Sequence, residues 1–259
     1  MPELPDVEGF RRYLAKHAQG RRIDRVDVLD REIVRNRSSQ ALGRALKGRR
    51  FATPQRQGKW LIAPVGEVEL LLHFGMTGAL RWAPEREDRD RHDRLVFRCA
   101  GGELRYNNMR RFGGVWLARD EHERASVTGP LGPDAADLNR AGLEELLSKR
   151  RGGVKAALMD QRLLAGVGNL LSDEILWRAW INPSTPVGKL SRARRNRLYE
   201  ALHETIAESS RYGRIPHGRR WLTRVRDDRQ AECPRCGTRL RHGTVAGRTA
   251  CWCPRCQRR

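Results

Sequence analysis

No run of the sequence approaches the roughly 18 consecutive apolar residues that a membrane-spanning helix needs, and neither end carries an amphipathic basic helix of the kind that lies on a bilayer. The start has no charged segment followed by an apolar one, which points to a cytoplasmic protein. No internal repeat is visible. Acid is scarce as well: 31 Asp plus Glu stand against 52 Lys plus Arg, a net charge of +21 over 259 residues. From residue 211 to the end there are fourteen Arg, no Lys and three acidic residues. Self-repulsion of this size opposes folding, so the excess points to a polyanionic partner, with nucleic acid ahead of a membrane surface.

Cysteine is sparse until the last 27 residues. Cys99 stands alone, whereas Cys233, Cys236, Cys251, Cys253 and Cys256 lie close together. In a reducing compartment such clustering favours metal over disulfides. Cys233-Pro-Arg-Cys236 and Cys253-Pro-Arg-Cys256 are matching knuckles, 16 residues apart. Each C-x-x-C turn aims two thiolates at one point, and two such turns complete a tetrahedron around one structural Zn²⁺. Metal binding then supplies the folding energy of the segment, roughly 10–16 kcal/mol. Strand periodicity puts Cys251 on the face of Cys253, so it is either a competing ligand or a small buried thiol beside the site. Gly247-Arg248 falls where the hairpin turns, and its arginine is either a solvated tip or a DNA contact.

The length allows two modest domains. Residues 5–18 have the apolar stripe of a helix (Val7, Phe10, Leu14), with Pro5 in its first turn. From about 22 to 118 short β runs alternate with Gly or charged turns, namely RIDRVDVL, KWLIAPV, EVELLLHF, RLVFRC, ELRYN and GGVWLA. They predict an antiparallel sandwich or barrel, with the charged stretch 85–94 as a loop. A Gly/Pro-rich linker spans 124–140, and helical spacing follows over 141–149, 154–164, 170–180 and 191–210. The break at Gly166-Val167-Gly168-Asn169 reads either as a plain helix corner or as a phosphate seat. In the second reading Asn169 is the N-cap, and unpaired amides at the helix start meet the anion.

Met1-Pro2-Glu3 opens a third possibility. Removal of the initiator methionine before proline exposes a secondary amine, which can attack a sugar C1′. The product is an iminium that withdraws electrons without needing a proton. An α-amino group titrates near about 7.7–8.0, and a helix N-terminus with basic neighbours disfavours its protonated form. Glu3 would supply acid/base help. On its own, Met-Pro-Glu is common by chance.

The motifs MPELPDVE, QGKWL, HFGMTG, RRFGG, DQxxxAGVGN, SDEIL and GRTxxxCPRCQ, in this order, resemble those of the formamidopyrimidine-DNA glycosylase/endonuclease VIII family over nearly the whole chain. The resemblance implies an α+β multidomain fold: an N-terminal β-sandwich with flanking helices, a helix-two-turn-helix domain and a C-terminal zinc-binding β-hairpin. Its divisions would be a catalytic domain at 1–123, a linker at 124–140, the DNA-binding helices at 141–215 and the zinc finger at 216–259. It implies a monomeric base excision repair enzyme that removes oxidised bases from double-stranded DNA and nicks the strand by β,δ-elimination. Pro2 would be the nucleophile, Glu3 the acid/base residue and Lys59 a phosphate contact that supports catalysis. Met76, Arg110 and Phe112 would fill the gap left by the extruded nucleotide, against bland readings as core positions for Met76 and Phe112. Lys155, Asn169 and Arg248 would be further DNA contacts.

Two departures stand out. Asn108-Met109 replaces the Asp-Pro usual ahead of the arginine, and the segment after the 191–210 helix is short and arginine-rich. The resemblance therefore implies the bond-breaking chemistry and leaves the preferred base open, 8-oxoguanine included. A lesion- or structure-sensing DNA-binding protein is the alternative, although binding alone needs no proline amine. A zinc-ribbon RNA or ribosome binder leaves the chain start unexplained.

Overall fold

A computed structural model describes residues 2–85 and 87–258. The chain divides into two compact units. One comprises Met1–Pro2 with Asp6–Pro130, and the other Glu3–Pro5 with Leu131–Arg259. The division falls inside the expected 124–140 linker, yet Glu121–Thr128 (α3) is helical, capped by Asp120 whose side chain accepts from the Glu123 amide.

The first unit is a pair of four-stranded antiparallel sheets. One contains β1 (Ile23–Val28), β6 (Asp93–Cys99), β7 (Gly102–Asn108) and β5 (Gly78–Ala83), in that order across the sheet. The other runs β2 (Gln55–Gln57), β3 (Trp60–Val65), β4 (Val68–His73) and β8 (Gly114–Ala118). Alternation decides the core: Leu61, Ala63 and Val65 of β3 meet Leu95, Phe97, Leu104 and Tyr106 of the other sheet. Their neighbours Trp60 and Ile62 lie in a separate cluster with Leu71, Trp116, Ala118 and Val127 of α3. The helix α1 (Leu4–His17) adds Val7, Leu14 and Phe10 to the sandwich core, so the stripe read from the sequence is the face it buries.

Four elements were not anticipated: α2 (Ser39–Leu46), α3, β2 and β5. In α2 only Leu42 and Leu46 are buried, and α3 has no buried residue among those of its own range.

The second unit is built on α4 (Arg140–Ser148), α5 (Val154–Met159), α6 (Asn169–Arg178) and α7 (Arg192–Tyr212). The helix expected over 154–164 stops at Met159; Leu163 and Leu164 instead close turns onto the Asp160 carbonyl. A hairpin of β9 (Arg241–Val245) and β10 (Arg248–Trp252) follows. Its two-residue turn has Ala246 at φ 52° and Gly247 at φ 71°, the left-handed pair that matches strand twist in a tight hairpin. No described helix is long and apolar enough to cross a membrane.

Candidate active site and nucleic-acid contacts

Helix α6 begins against the start of the chain. The Glu3 carboxylate is fully buried and accepts from the backbone amides of Gly168 (2.6 Å), Leu170 (2.8 Å) and Leu171 (3.2 Å). The Leu4 amide donates to the Gly166 carbonyl at 3.1 Å. Both glycines of the Gly-Val-Gly break answer to this docking. A Cβ on Gly168 would lie 2.3 Å from Glu3 Cδ, and one on Gly166, at φ 107°, would lie 2.6 Å from Leu4 Cδ1. The anion expected at this helix start is thus a side chain of the protein itself.

Two sequence readings are corrected here. Asn169 is the first helical residue and Gly168 the cap. The amides of Gly168, Leu170 and Leu171 are held by Glu3 and not open to a phosphate. Asn169 itself is half-buried, and its side-chain oxygen Oδ1 is buried with no hydrogen-bond partner. Pro2, one peptide bond from Glu3, is half-buried and counted with the first unit. Met1 lies outside the described residues.

In the first unit, Lys59 sits on the two-residue turn Gly58-Lys59 between β2 and β3, with Gly58 at φ 56°. His73, paired with Trp60 across β3 and β4, accepts from the Gly75 amide through Nδ1 at 3.3 Å. Burial, and then the positive charge of Lys59, lower the His73 pKa to about 4. The ring is therefore a neutral acceptor that shapes the turn carrying Met76. This residue lay within HFGMTG but was not singled out from the sequence.

Met76 and Phe112 are not core residues. They are 39% and 61% exposed, and Met109 is 51% exposed. The Arg110 guanidinium lies over the Phe112 ring, 5.0 Å from its centroid, a favourable cation–π contact. The two turns are stitched together. The Arg110 amide donates to Thr77 Oγ1 at 3.0 Å, and a Cβ on Gly75 would meet the Gly113 amide nitrogen at 2.4 Å. Soluble proteins rarely display large apolar side chains side by side without a partner to cover them.

Lys155 is displaced from the role the resemblance gave it. Its side chain has no exposed surface, and Nζ donates to Asp173 Oδ1 (2.6 Å) and to the Thr249 carbonyl (2.8 Å). Asp173 also accepts from Arg226 Nε (2.8 Å) and the Cys251 amide (3.3 Å), while Arg226 Nη2 donates to the Thr249 carbonyl (3.0 Å). Burial raises the Asp173 pKa against its two cations and lowers that of Lys155 against its acid. The close pairing opposes both shifts. The pairing forbids a direct phosphate contact by Lys155 and makes it a strut under β10, whose first residue, Arg248, is exposed.

The four knuckle sulfurs of Cys233, Cys236, Cys253 and Cys256 all lie within 4.8 Å of one another. Cys236 Sγ is 3.5 Å from both Cys253 and Cys256. A tetrahedron with bonds of about 2.3 Å has edges of about 3.8 Å, so the set fits a single thiophilic ion. Trp177 Nε1 donates to Cys233 Sγ at 3.3 Å. Cys251 is a buried thiol outside this group, packed with Trp177 and Leu240. The strand ends at Trp252, so alternation does not carry over to Cys253.

Comparison with known proteins accords with these features. The family description "Formamidopyrimidine-DNA glycosylase N-terminal domain" matches residues 1–115, and "Formamidopyrimidine-DNA glycosylase H2TH domain" matches 131–217. The formamidopyrimidine-DNA glycosylase of Methylococcus capsulatus is 38% identical, and that of Chloroflexus aurantiacus 35%. The first match covers 100% of both chains, and the second 99% of this chain and 98% of the relative. The Lactococcus lactis enzyme, solved bound non-covalently to DNA containing an AP site, superposes with a TM-score of 0.90 at 29% identity, covering 100% of both chains. The same enzyme with DNA containing N7-benzyl-Fapy-dG gives 0.89, also at 29% identity and full coverage. With the helix-two-turn-helix unit, the four-cysteine hairpin and the sandwich in place, the chain belongs to the formamidopyrimidine-DNA glycosylase family.

Proposed function

We propose that this protein is a bifunctional DNA glycosylase/AP lyase of base excision repair that acts on damaged double-stranded DNA. The observation that carries the reading is the docking of Glu3 on the start of α6, which fixes an acid/base group next to Pro2 in the chain. Once Met1 is removed, the Pro2 amine attacks C1′ of the damaged nucleotide and the bond to the base breaks, the base leaving with the bonding pair and taking a proton from water. Glu3 serves as the proton carrier, relieving the attacking amine of its proton and delivering one to the ring oxygen O4′ as the sugar opens. The resulting iminium acidifies C2′–H. Loss of that proton expels the 3′ phosphate, and a second elimination expels the 5′ phosphate.

Lys59 is read as a phosphate contact near the lesion. Met76, Arg110 and Phe112 fill the gap left in the helix, because extrusion costs a few kcal/mol of stacking that apolar wedges and a guanidinium partly recover. Asn169, through its side-chain Nδ2–H, and Arg248 at the exposed hairpin tip are read as phosphate contacts. The cysteine set is assigned to one structural Zn²⁺, since four thiolates leave no open position. The protein works as a monomer in the cytoplasm.

The deciding experiment is borohydride trapping on an abasic duplex. A covalent complex is expected with the processed protein, and acetylation of Pro2 is expected to abolish both it and strand cleavage. Normal cleavage by the acetylated protein would rule out the proline mechanism. Tight abasic-site binding without trapping would favour a lesion sensor instead.

A further inference from the structure

A single file of hydrogen bonds runs between the turn that carries Met76 and the turn that carries Arg110 and Phe112. The Arg110 amide donates to Thr77 Oγ1 (3.0 Å), and the Thr77 hydroxyl donates to Asn108 Oδ1 (3.3 Å). The Arg111 amide donates to the same oxygen at 3.0 Å. On its other side, Asn108 Nδ2 donates to Tyr106 Oη (2.9 Å), and the Tyr106 hydroxyl donates to the His73 carbonyl (2.8 Å).

The direction of this file is fixed. Peptide N–H groups only donate and a carbonyl only accepts, so both ends are set. Thr77 and Tyr106 each have one proton to give, and each gives it along the chain. The residue at 108 must then accept on one side and donate on the other. A carboxamide does both; an alkyl side chain does neither. Asn108 and Tyr106 have no exposed surface, so solvent does not stand in for a missing partner. Nor is there slack: a Cβ on Gly113 would lie 2.2 Å from the His73 oxygen, 2.4 Å from Tyr106 Oη and 2.7 Å from Asn108 Nδ2. The file also supports Arg111, which has φ 57°, an unfavourable conformation for a residue with a side chain.

We propose that Asn108 is a positioning residue that couples the two turns and sets where Met76, Arg110 and Phe112 stand before DNA arrives. This rests on the reading that those three side chains fill the gap left by an extruded nucleotide. Asn108→Leu keeps the volume but removes both the acceptor for Thr77 and Arg111 and the donor to Tyr106. Thr77→Val cuts the file at its middle, while Thr77→Ser preserves it.

The test compares binding to a duplex carrying one tetrahydrofuran abasic analogue with borohydride trapping on a single-stranded abasic oligonucleotide, which has no opposite strand to support. Asn108→Leu and Thr77→Val are each expected to weaken duplex binding roughly tenfold and to leave single-strand trapping unchanged. Thr77→Ser should match the parent, and the double variant should be no weaker than the weaker single variant, because both cut one chain. Parent-like duplex binding by the folded single variants would overturn the proposal, as would losses that add. If Asn108→Leu does not fold, the Thr77 pair decides: a loss with Val and none with Ser supports the coupling, and equal behaviour overturns it. A parent protein that neither prefers the abasic duplex nor is trapped would instead bring down the functional reading, and this inference with it.

Discussion

A methyl group at position 168 would sit 2.3 Å from Glu3 Cδ, so a change that is minor in most helix caps strikes the candidate acid/base group here. Gly168→Ala is expected to push the Glu3 carboxylate off the three amides and slow base release by about 10²-fold or more. Single-turnover kinetics on a lesion duplex would measure this, and a rate within a factor of two or so of the parent would contradict it. His73 makes a second residue-scale prediction. Its folded-state pKa is lowered from 6.5 to about 4, so the unfolded chain takes up the proton first. The stability that depends on a neutral ring is present above pH 6.5 and is lost as the pH falls towards 4. Urea unfolding at about pH 7 and about pH 5 should show the parent losing more stability than His73→Gln. Equal losses would place the pH dependence elsewhere.

The helix α6 works as a spine whose polar residues are turned inward. Ser172, Asp173 and Glu174 are buried. Asp173 holds Lys155, Arg226 and the Cys251 amide, while Glu174 accepts from the Thr223 amide at 3.1 Å. Lys155→Ala would leave a buried carboxylate with half its neutralising charge. It is expected to destabilise the second unit by about 3–5 kcal/mol, measured by chemical denaturation. The dependence of log affinity on log salt should keep its slope, whereas loss of a true phosphate contact would reduce that slope by about 1. Such inward polarity is invisible to periodicity, so nothing in the sequence set Lys155, a DNA contact by the resemblance, against Asp173. The helices α1, α4 and α7 were legible because each keeps an apolar stripe on one face. The segment α3 was not, because none of its residues is fully buried and only Val127 packs against an apolar cluster. Strand β5 hid its alternation behind exposed Arg81 and half-buried Trp82. The cysteine knuckles could be read from spacing alone. The role of Gly166 and Gly168 could not, because the groups they accommodate are about 165 residues away.

At the scale of the whole molecule the charge of +21 should dominate encounter with DNA. Affinity for duplex is expected to fall linearly on log axes with a slope of about 0.9 per phosphate contact, and salt-independent binding would contradict this. Chelation of the proposed Zn²⁺ is expected to release the segment from Cys233 to Cys256, because four neighbouring thiols without an ion lose the energy that holds the hairpin. Hydrogen exchange should then rise across β9 and β10 while the sandwich strands β3, β4, β6 and β7 stay protected. Unchanged protection of the hairpin would show that its packing on Trp177 is sufficient alone.

The seat of Glu3 also bears on how the chain is made. Its three partners lie 165 to 168 residues downstream, so a ribosome must finish α6 before the first residues have anywhere to settle. At about 5–20 residues per second this leaves an interval on the order of ten seconds. During that time the leading end is loose and open to the peptidase that trims methionine. Once Glu3 docks, its carboxylate and the Leu4 side chain become part of a folded core. The seat of Glu3 is therefore expected to form only once α6 has been made, with the order of synthesis serving as its clock.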